Sequence, residues 1–526
     1  MLAAAALLVL PQPRAAGSVE AVTSALRQQL QGDAEMWAGA ALDWRRLREF
    51  YQPRRFRPVW CDDEGPLHRA PLLKQTLEAA DEQGLDAAAY HLVPIRQHWY
   101  AQSAEELAWL DLLMTDAFLR YSKDVRTGRY DPRRVDADWH IEVADVDPVA
   151  LLHTTLEAGD FAASLRELPP VHPGYRRLRQ ALARYRRIAT QGPWSQLPPG
   201  PVLRTGDRHP QVALLRRRLL AEGDLVMGPV VEESFFDLAL KDAVERFQLR
   251  HGLDMDGMVG RGTRAALNAP VATRIEQIRH NMERWRWLPR QLGERYLMVN
   301  LGGFELAVAE RETTLFTMRV IIGRPYRATP QVAGALRYMV FNPYWHVPPR
   351  VAVEDLLPKQ RRDPDFFVTR GIRVFSGWGE HAAELKIQDI DWTAVSVRRF
   401  PYKLRQDPGP YNSMGRVKFV FPNRFAVYLH DTPQRELFDQ EVRTFSAGCI
   451  RIESPLRLAA YLLQGKEEWT AERIQDQIVS GETLAVALPE AVSVYLINWT
   501  AWVGEDATVY FRTAANAGGD HDDRCG

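Results

Sequence analysis

The chain has 526 residues, with 67 Lys plus Arg against 67 Asp plus Glu, so its formal net charge is zero. A hydrophobic share of 46% and a charged share of 25% are ordinary globular usage and exclude a wholly disordered, collagen-like or coiled-coil chain. The balanced charge removes the electrostatic case for a nucleic-acid partner, which needs an excess of cations. At roughly 150 residues per domain, the length predicts about three or four units.

The N-terminus opens on an apolar run, Met1 to Leu10, that stops at Pro11. Ten residues cannot cross a bilayer, which takes about 20, but they match the core of an export leader. Arg14-Ala15-Ala16-Gly17 supplies small residues for cleavage, although the usual cationic start is missing. The expectation is a leader over 1–17, cleaved or retained, and a periplasmic protein. From 18 to 200 the pattern is helical, with Leu107, Leu110, Leu113 and Phe118 recurring at helical spacing, and this region reads as an all-α scaffold domain. A linker dense in turn-formers, Gln191 to Pro201, closes it.

Of the three cysteines, Cys61, Cys449 and Cys525, at least one must stay unpaired within the chain. Cys525 belongs to a polar tail, 513–526, expected to be flexible. Residues 202–270 predict three short helices joined by glycine turns. The Asp254-Met-Asp256-Gly257 turn lacks the glycine and glutamate spacing of a calcium loop, and no metal ligand set appears. The order Ala243-Val244, Phe247-Gln248, Gly252-Leu253, Asp256-Gly257, Gly260, Thr263 and Leu267-Asn268 resembles the peptidoglycan-binding type 1 module.

The remaining stretch, 271–512, begins with a helix from Arg274 to Trp287 and then turns to β. Short runs at Tyr296–Asn300, Phe304–Ala309, Met318–Ile322 and Tyr338–Phe341 read as strands, and strands resume at Val417–Phe421 and Ala426–Leu429. The segment from about 349 to 415, with prolines at 349, 358, 364, 401, 408 and 410, reads as an irregular insertion covering a site. The apolar run 484–503 is broken by Pro489, Glu490 and Asn498 and reads as strands, not as a membrane span.

Two segments carry chemistry. Ala426-Val-Tyr428-Leu-His430-Asp431 and Phe445-Ser446-Ala447-Gly448-Cys449-Ile-Arg451 each put a reactive side chain at a strand edge. A thiol near an imidazole can be deprotonated into a nucleophile, and a glycine beside it lets backbone N–H groups converge on a developing oxyanion. The histidine after an apolar strand, followed by Ser-x-Gly-Cys-Ile-Arg, resembles the signature of the L,D-transpeptidases. Asn281 to Trp287, Phe341 to Pro348, Arg405 to Pro410, Gly415 to Phe419 and Tyr428 to Pro433 resemble the large multidomain branch of that family. The fold class implied is multidomain α+β: a helical scaffold, a three-helix peptidoglycan-binding module and a mainly β catalytic domain with an inserted cap.

By that resemblance, Cys449 is the nucleophile and His430 its base. The amides of Gly448 and Cys449 form the oxyanion hole, and Tyr428, Arg451 and Ser446 contact substrate. The imidazole is oriented either by the Asp431 side chain or by a backbone carbonyl, and His346 is structural. Ala447 stands where many smaller members carry histidine. The implied reaction takes a tetrapeptide stem of peptidoglycan, expels D-alanine, and passes the acyl group from a cysteine thioester to a second stem as a 3-3 cross-link, without a cofactor or metal. Expected partners are peptidoglycan stems and other cell-wall synthesis enzymes. The competing readings are a silent wall-binding scaffold, an L,D-carboxypeptidase that uses water, and a zinc amidase, for which ligand spacing is lacking.

Overall fold

The computed structural model describes residues 18–32, 41–228, 232–379 and 381–512. The expected leader over 1–17, the tail 513–526 and Cys525 lie outside the described residues. The chain is multidomain α+β and forms two compact units: Met1–Val135, Glu142–Pro193 and Pro270–Arg290 in one, and Asp136–Ile141, Trp194–Ala269 and Gln291–Gly526 in the other. No helix among the described residues is long and apolar enough to cross a membrane.

The first unit is helical and built around Ala104–Thr127, a helix buried on nearly every face. Its apolar residues pack into one core with Leu26, Phe50, Trp60 and Leu152. Such a helix can carry a polar residue only if its hydrogen bonds are met, and Asp111 meets this condition. Its carboxylate accepts the backbone N–H groups of Val59, Trp60 and Cys61 at 2.6 to 3.2 Å. Cys61 sits in this interior, and burial, followed by Asp111 and Asp62, pushes its thiol well above the ordinary range. The helix Val271–Arg286, placed at the head of the catalytic region in the sequence reading, packs in this unit. Arg286 ion-pairs Glu283 at 2.6 Å, and Glu283 accepts the Tyr130 amide at 3.1 Å.

In the second unit, Pro210–Glu222, Leu238–His251 and Arg261–Asn268 form a three-helix module around Val212, Leu215, Val244 and Phe247. Gln248 explains the turn that superficially resembles a calcium loop. Its side chain binds Asp256 Oδ1 at 2.7 Å and the Met258 carbonyl at 2.9 Å, and accepts the Gly257 amide at 2.9 Å.

The same unit holds nine strands in one ladder: β1 Arg295–Asn300, β2 Glu305–Glu310, β3 Thr313–Gly323, β4 Ala333–Phe341, β5 Val417–Val420, β6 Leu429–His430, β7 Thr444–Ser446, β8 Ile450–Ile452 and β9 Leu484–Ile497. Their order is β7-β3-β8-β6-β5-β4-β9-β1-β2, and β3 also pairs with β2, so the ladder closes on itself. Leu297, Val320, Met339, Phe419, Leu429, Ile450 and Val494 fill the interior. Pro489 falls where the β9 register shifts, between Ala487 and Val492, the position at which a strand tolerates a missing donor.

The insertion is not irregular, which corrects the sequence reading. Strands Trp345–His346, Lys403–Gln406, Ile372–Phe375 and Glu384–Leu385 form a separate antiparallel sheet, with short helices at 349–362 and Phe366–Thr369. Val347, Leu357, Phe367, Val374, Trp392 and Leu404 give this cap its own core. The strands of two to four residues are too short to show a period, and Pro349 stands at the start of the helical stretch 349–362, where the missing N–H costs nothing.

Candidate active site

The two reactive segments meet in the sheet. β6 and β8 pair in parallel, with Leu429 opposite Ile450 and His430 opposite Arg451. Opposed residues of neighbouring strands share a face, and side chains alternate along each strand. Leu429, Ile450 and Ile452 point into the core, so His430 and Arg451 lie on the other face. Tyr428 and Cys449, two residues earlier on their respective segments, share it with them. The connection between the strands runs through the turn Arg435–Asp439 and then β7, which pairs with β3, so the chain re-enters in parallel.

The turn carrying Cys449 is held from two sides. Ser446 Oγ accepts the Gly448 amide at 3.0 Å and donates to the Cys449 carbonyl at 2.6 Å. Thr329 Oγ1 donates to the Gly448 carbonyl at 2.8 Å and accepts the Gly323 amide at 2.9 Å. Ser446, expected to contact substrate, is buried with its hydroxyl bonded within the turn. The Gly448 amide, expected at the oxyanion hole, is likewise engaged by Ser446. Gly448 has φ +119°, and a Cβ there would find its nearest neighbours at 3.7 Å, the Arg327 carbonyl, and 3.9 Å, the Ala328 carbonyl. Space is available but the backbone conformation is not, so Gly448→Ala should cost about 1–3 kcal/mol and displace the turn carrying Cys449. Urea unfolding and thiol alkylation of this variant check that expectation.

His430 is buried, and its Nδ1 lies 2.5 Å from the Asp431 carbonyl oxygen. A carbonyl only accepts, so Nδ1 carries the proton and Nε2 is left with a free lone pair. Of the two orienting groups considered, the backbone carbonyl serves. The Asp431 side chain turns away: Oδ2 accepts the Arg416 amide at 2.8 Å, and Oδ1 meets Arg435 at 3.3 Å. Gly415, with φ +60°, lies so close to that carboxylate that any Cβ would displace it.

Burial, then Arg451 and Lys418, pushes the His430 imidazole down to about 3. The unfolded chain takes up this proton below about pH 6.5 and the folded chain only below about 3, so the group makes stability fall as pH drops through that window. His430→Asn should flatten the dependence of unfolding free energy on pH between about 6.5 and 4; an unchanged slope in urea titrations would contradict the assignment.

Cys449 remains partly open to solvent. Burial pushes its thiol above the ordinary value, and the Tyr428 amide and hydroxyl, Lys418 and Arg451 oppose that rise. The Ala426 carbonyl lies 3.9 Å from the sulfur, in a turn where Ala426 has φ +53°. Arg451 donates to Gln434 Oε1 at 2.8 Å and feels Arg324 nearby. His346, expected to be structural, is exposed on a cap strand in the field of Lys403, Arg405 and Lys418. Among the described residues no group of three or more His, Cys, Asp or Glu could hold a metal ion.

Sequence reasoning passed over Lys418 and Thr329. Lys418 pairs with His430 across β5 and β6, and its Nζ sits 3.8 Å from the Tyr428 ring centroid. Its signal was present as a lone cation between the inward-facing Val417 and Phe419. Thr329 lies in a loop and has no such signal.

The closed β ladder thus carries Cys449 and His430 on one face, with Tyr428, Lys418 and Arg451. Residues 294–474 match the L,D-transpeptidase catalytic domain, residues 208–267 the "Putative peptidoglycan binding domain" and residues 45–182 the scaffold domain. The chain therefore carries an L,D-transpeptidase catalytic domain together with these two accessory domains. A Haemophilus influenzae protein named "Putative L,D-transpeptidase" is 33% identical over 207 residues, 39% of this chain and 41% of that protein. The chain thus spans about two fifths of the length of this curated relative. The crystal structure of an L,D-transpeptidase (residues 123–326) from Xylanimonas cellulosilytica is 18% identical and covers 57% of this chain and 100% of that one, with a TM-score of 0.19.

Proposed function

We propose that the protein is a peptidoglycan L,D-transpeptidase of the cell envelope that joins stem peptides through a thioester on Cys449. The observation that supports this most is the parallel β6–β8 register, which puts His430, Arg451, Tyr428 and Cys449 on one face. The neutral His430 takes the thiol proton at Nε2 as sulfur attacks the carbonyl of the residue preceding the terminal D-alanine. The tetrahedral oxyanion forms at the Cys449 amide. As it collapses, the carbon–nitrogen bond breaks, His430 returns the proton to the leaving D-alanine amine, and the thioester remains. A side-chain amine of a second stem then attacks, loses its proton to His430, and releases the cross-linked product and the thiol.

Because both groups are held uncharged at rest, the pair works by concerted proton removal, not as a preformed thiolate and imidazolium. Arg451, cationic and half-buried on the same face, is suited to a stem carboxylate. Incubation with isolated tetrapeptide muropeptides, followed by mass analysis, tests the reading. Dimers with loss of alanine support it, trimmed monomers alone indicate a carboxypeptidase, and unchanged substrate indicates a silent scaffold.

The cap supports acyl transfer over hydrolysis. Arg327, whose carbonyl lies beside Gly448, is buried and reaches Asp355 at 2.5 Å and also Glu354, both on the cap. Arg324 reaches Asp355 at 3.4 Å. Arg327→Ala should loosen this latch, admit water to the thioester and raise the ratio of trimmed monomer to dimer by roughly several-fold. An unchanged product ratio by chromatography would count against this role.

A further inference from the structure

We propose that Lys418 is a positioning residue for the nucleophile: its ammonium, held over the Tyr428 ring, strengthens the phenol as a hydrogen-bond donor to the Cys449 sulfur and favours the thiolate as it forms. This rests on the reading of Cys449 as the attacking group. Lys418 lies on β5 opposite His430 of β6, on the face that Tyr428 also shares. Its Nζ is 3.8 Å from the Tyr428 centroid, well inside the range of a cation–π contact. Among the described residues no carboxylate ion-pairs it, so its charge is not neutralised locally.

The half-buried position weakens solvent screening, and a cation on a phenol ring withdraws electron density from the hydroxyl. That hydroxyl and the Tyr428 amide both act on the sulfur. The charge therefore reaches Cys449 by two routes, directly through space and through the ring. Arg451 on β8 also acts on the sulfur; around it, Arg324 after β3 bears on Arg451, Arg451 and Lys418 bear on His430 of β6, and Lys418 bears on His346 of the cap. Glu436 bears on Arg451 from the Arg435–Asp439 turn. Lys418 is the cation stacked on Tyr428.

The test is the pH dependence of iodoacetamide alkylation of Cys449 in the full chain, read by peptide mass spectrometry so that Cys61 and Cys525 are scored separately. Lys418→Met, which keeps the stem over the ring, should move the midpoint up by about one pH unit, roughly a tenfold slower reaction near pH 7. Lys418→Arg should restore the native profile. Tyr428→Phe should shift the midpoint in the same direction, and Lys418→Met added to it should shift the midpoint less than it does in the native chain. A Lys418→Met profile superimposable on the native one, a failure of Lys418→Arg to restore it, or an equal shift with and without the phenol would each overturn the proposal. So would a rise in KM for muropeptide with the alkylation profile unchanged, which would make Lys418 a carboxylate anchor. Should Lys418→Met misfold by thermal unfolding, Lys418→Arg against Tyr428→Phe decides: an unshifted profile in Tyr428→Phe overturns the relay. Alkylation needs no wall substrate, so absence of muropeptide turnover would fail the transpeptidase reading while leaving this coupling standing.

Discussion

Cys449→Ser should abolish cross-linking, lowering turnover by about 10⁴-fold or more while leaving the fold intact. A hydroxyl is far less acidic than a thiol, and the environment here already disfavours an anion: burial raises even the thiol of Cys449. The surroundings that oppose this rise, Tyr428, Lys418 and Arg451, are too weak to ionise an alcohol near neutral pH. Oxygen for sulfur is a small volume change at a partly open side chain, so the variant's unfolding curve should overlay the native one. The Ser446 and Thr329 bonds that shape the turn involve the backbone of 448 and 449, not the sulfur. Muropeptide chromatography checks the first half of this expectation and urea unfolding the second. Retention of cross-linking by Cys449→Ser or Cys449→Ala would place the chemistry elsewhere.

His430→Asn should lower acyl transfer by about 10²–10⁴-fold, the usual range for a positioned general base. Asparagine can keep a donor toward the Asp431 carbonyl, so the loss reads the missing Nε2 lone pair and not a collapsed loop. The native pH profile carries a further mark. An imidazole held down to about 3 is neutral throughout the working range, so the rate should show no acid limb near 6.5. Activity should climb with pH toward the raised thiol. A bell centred between two ordinary values would indicate a preformed ion pair and contradict the neutral-pair reading.

Much of this arrangement was legible in the residues. The strands around Tyr296, Phe304, Met318 and Tyr338 showed themselves because alternation survives wherever one face is buried. The helix Ala104–Thr127 was visible through Leu107, Leu110, Leu113 and Phe118 at helical spacing, although it is buried on nearly every face. His430 and Cys449 were legible because each stands at a strand edge in a distinctive local pattern. What the pattern could not convey was relation across the chain. The parallel pairing of β6 with β8 depends on the route through β7, and the folded cap is built of elements too short to carry a period. The helix Val271–Arg286 runs straight into the strands in sequence, yet Trp285 and Trp287 find their apolar surroundings in the helical unit. The placement of Ser446 was hidden for a related reason. A serine two residues before a glycine can face ligand or fold back on the turn, and only three-dimensional placement distinguishes the two. Lys418 was overlooked because its importance comes from the ring it covers, on a neighbouring strand.

The proposed chemistry requires a covalent bond between Cys449 and a wall peptide. The most direct measurement is the intact mass of the protein, quenched in acid within seconds of mixing with a tetrapeptide stem. The expected result is an adduct equal to the stem less D-alanine, mapped to Cys449, released by hydroxylamine and absent in Cys449→Ala. An unmodified protein alongside cross-linked product, or an adduct on any other residue, would contradict it.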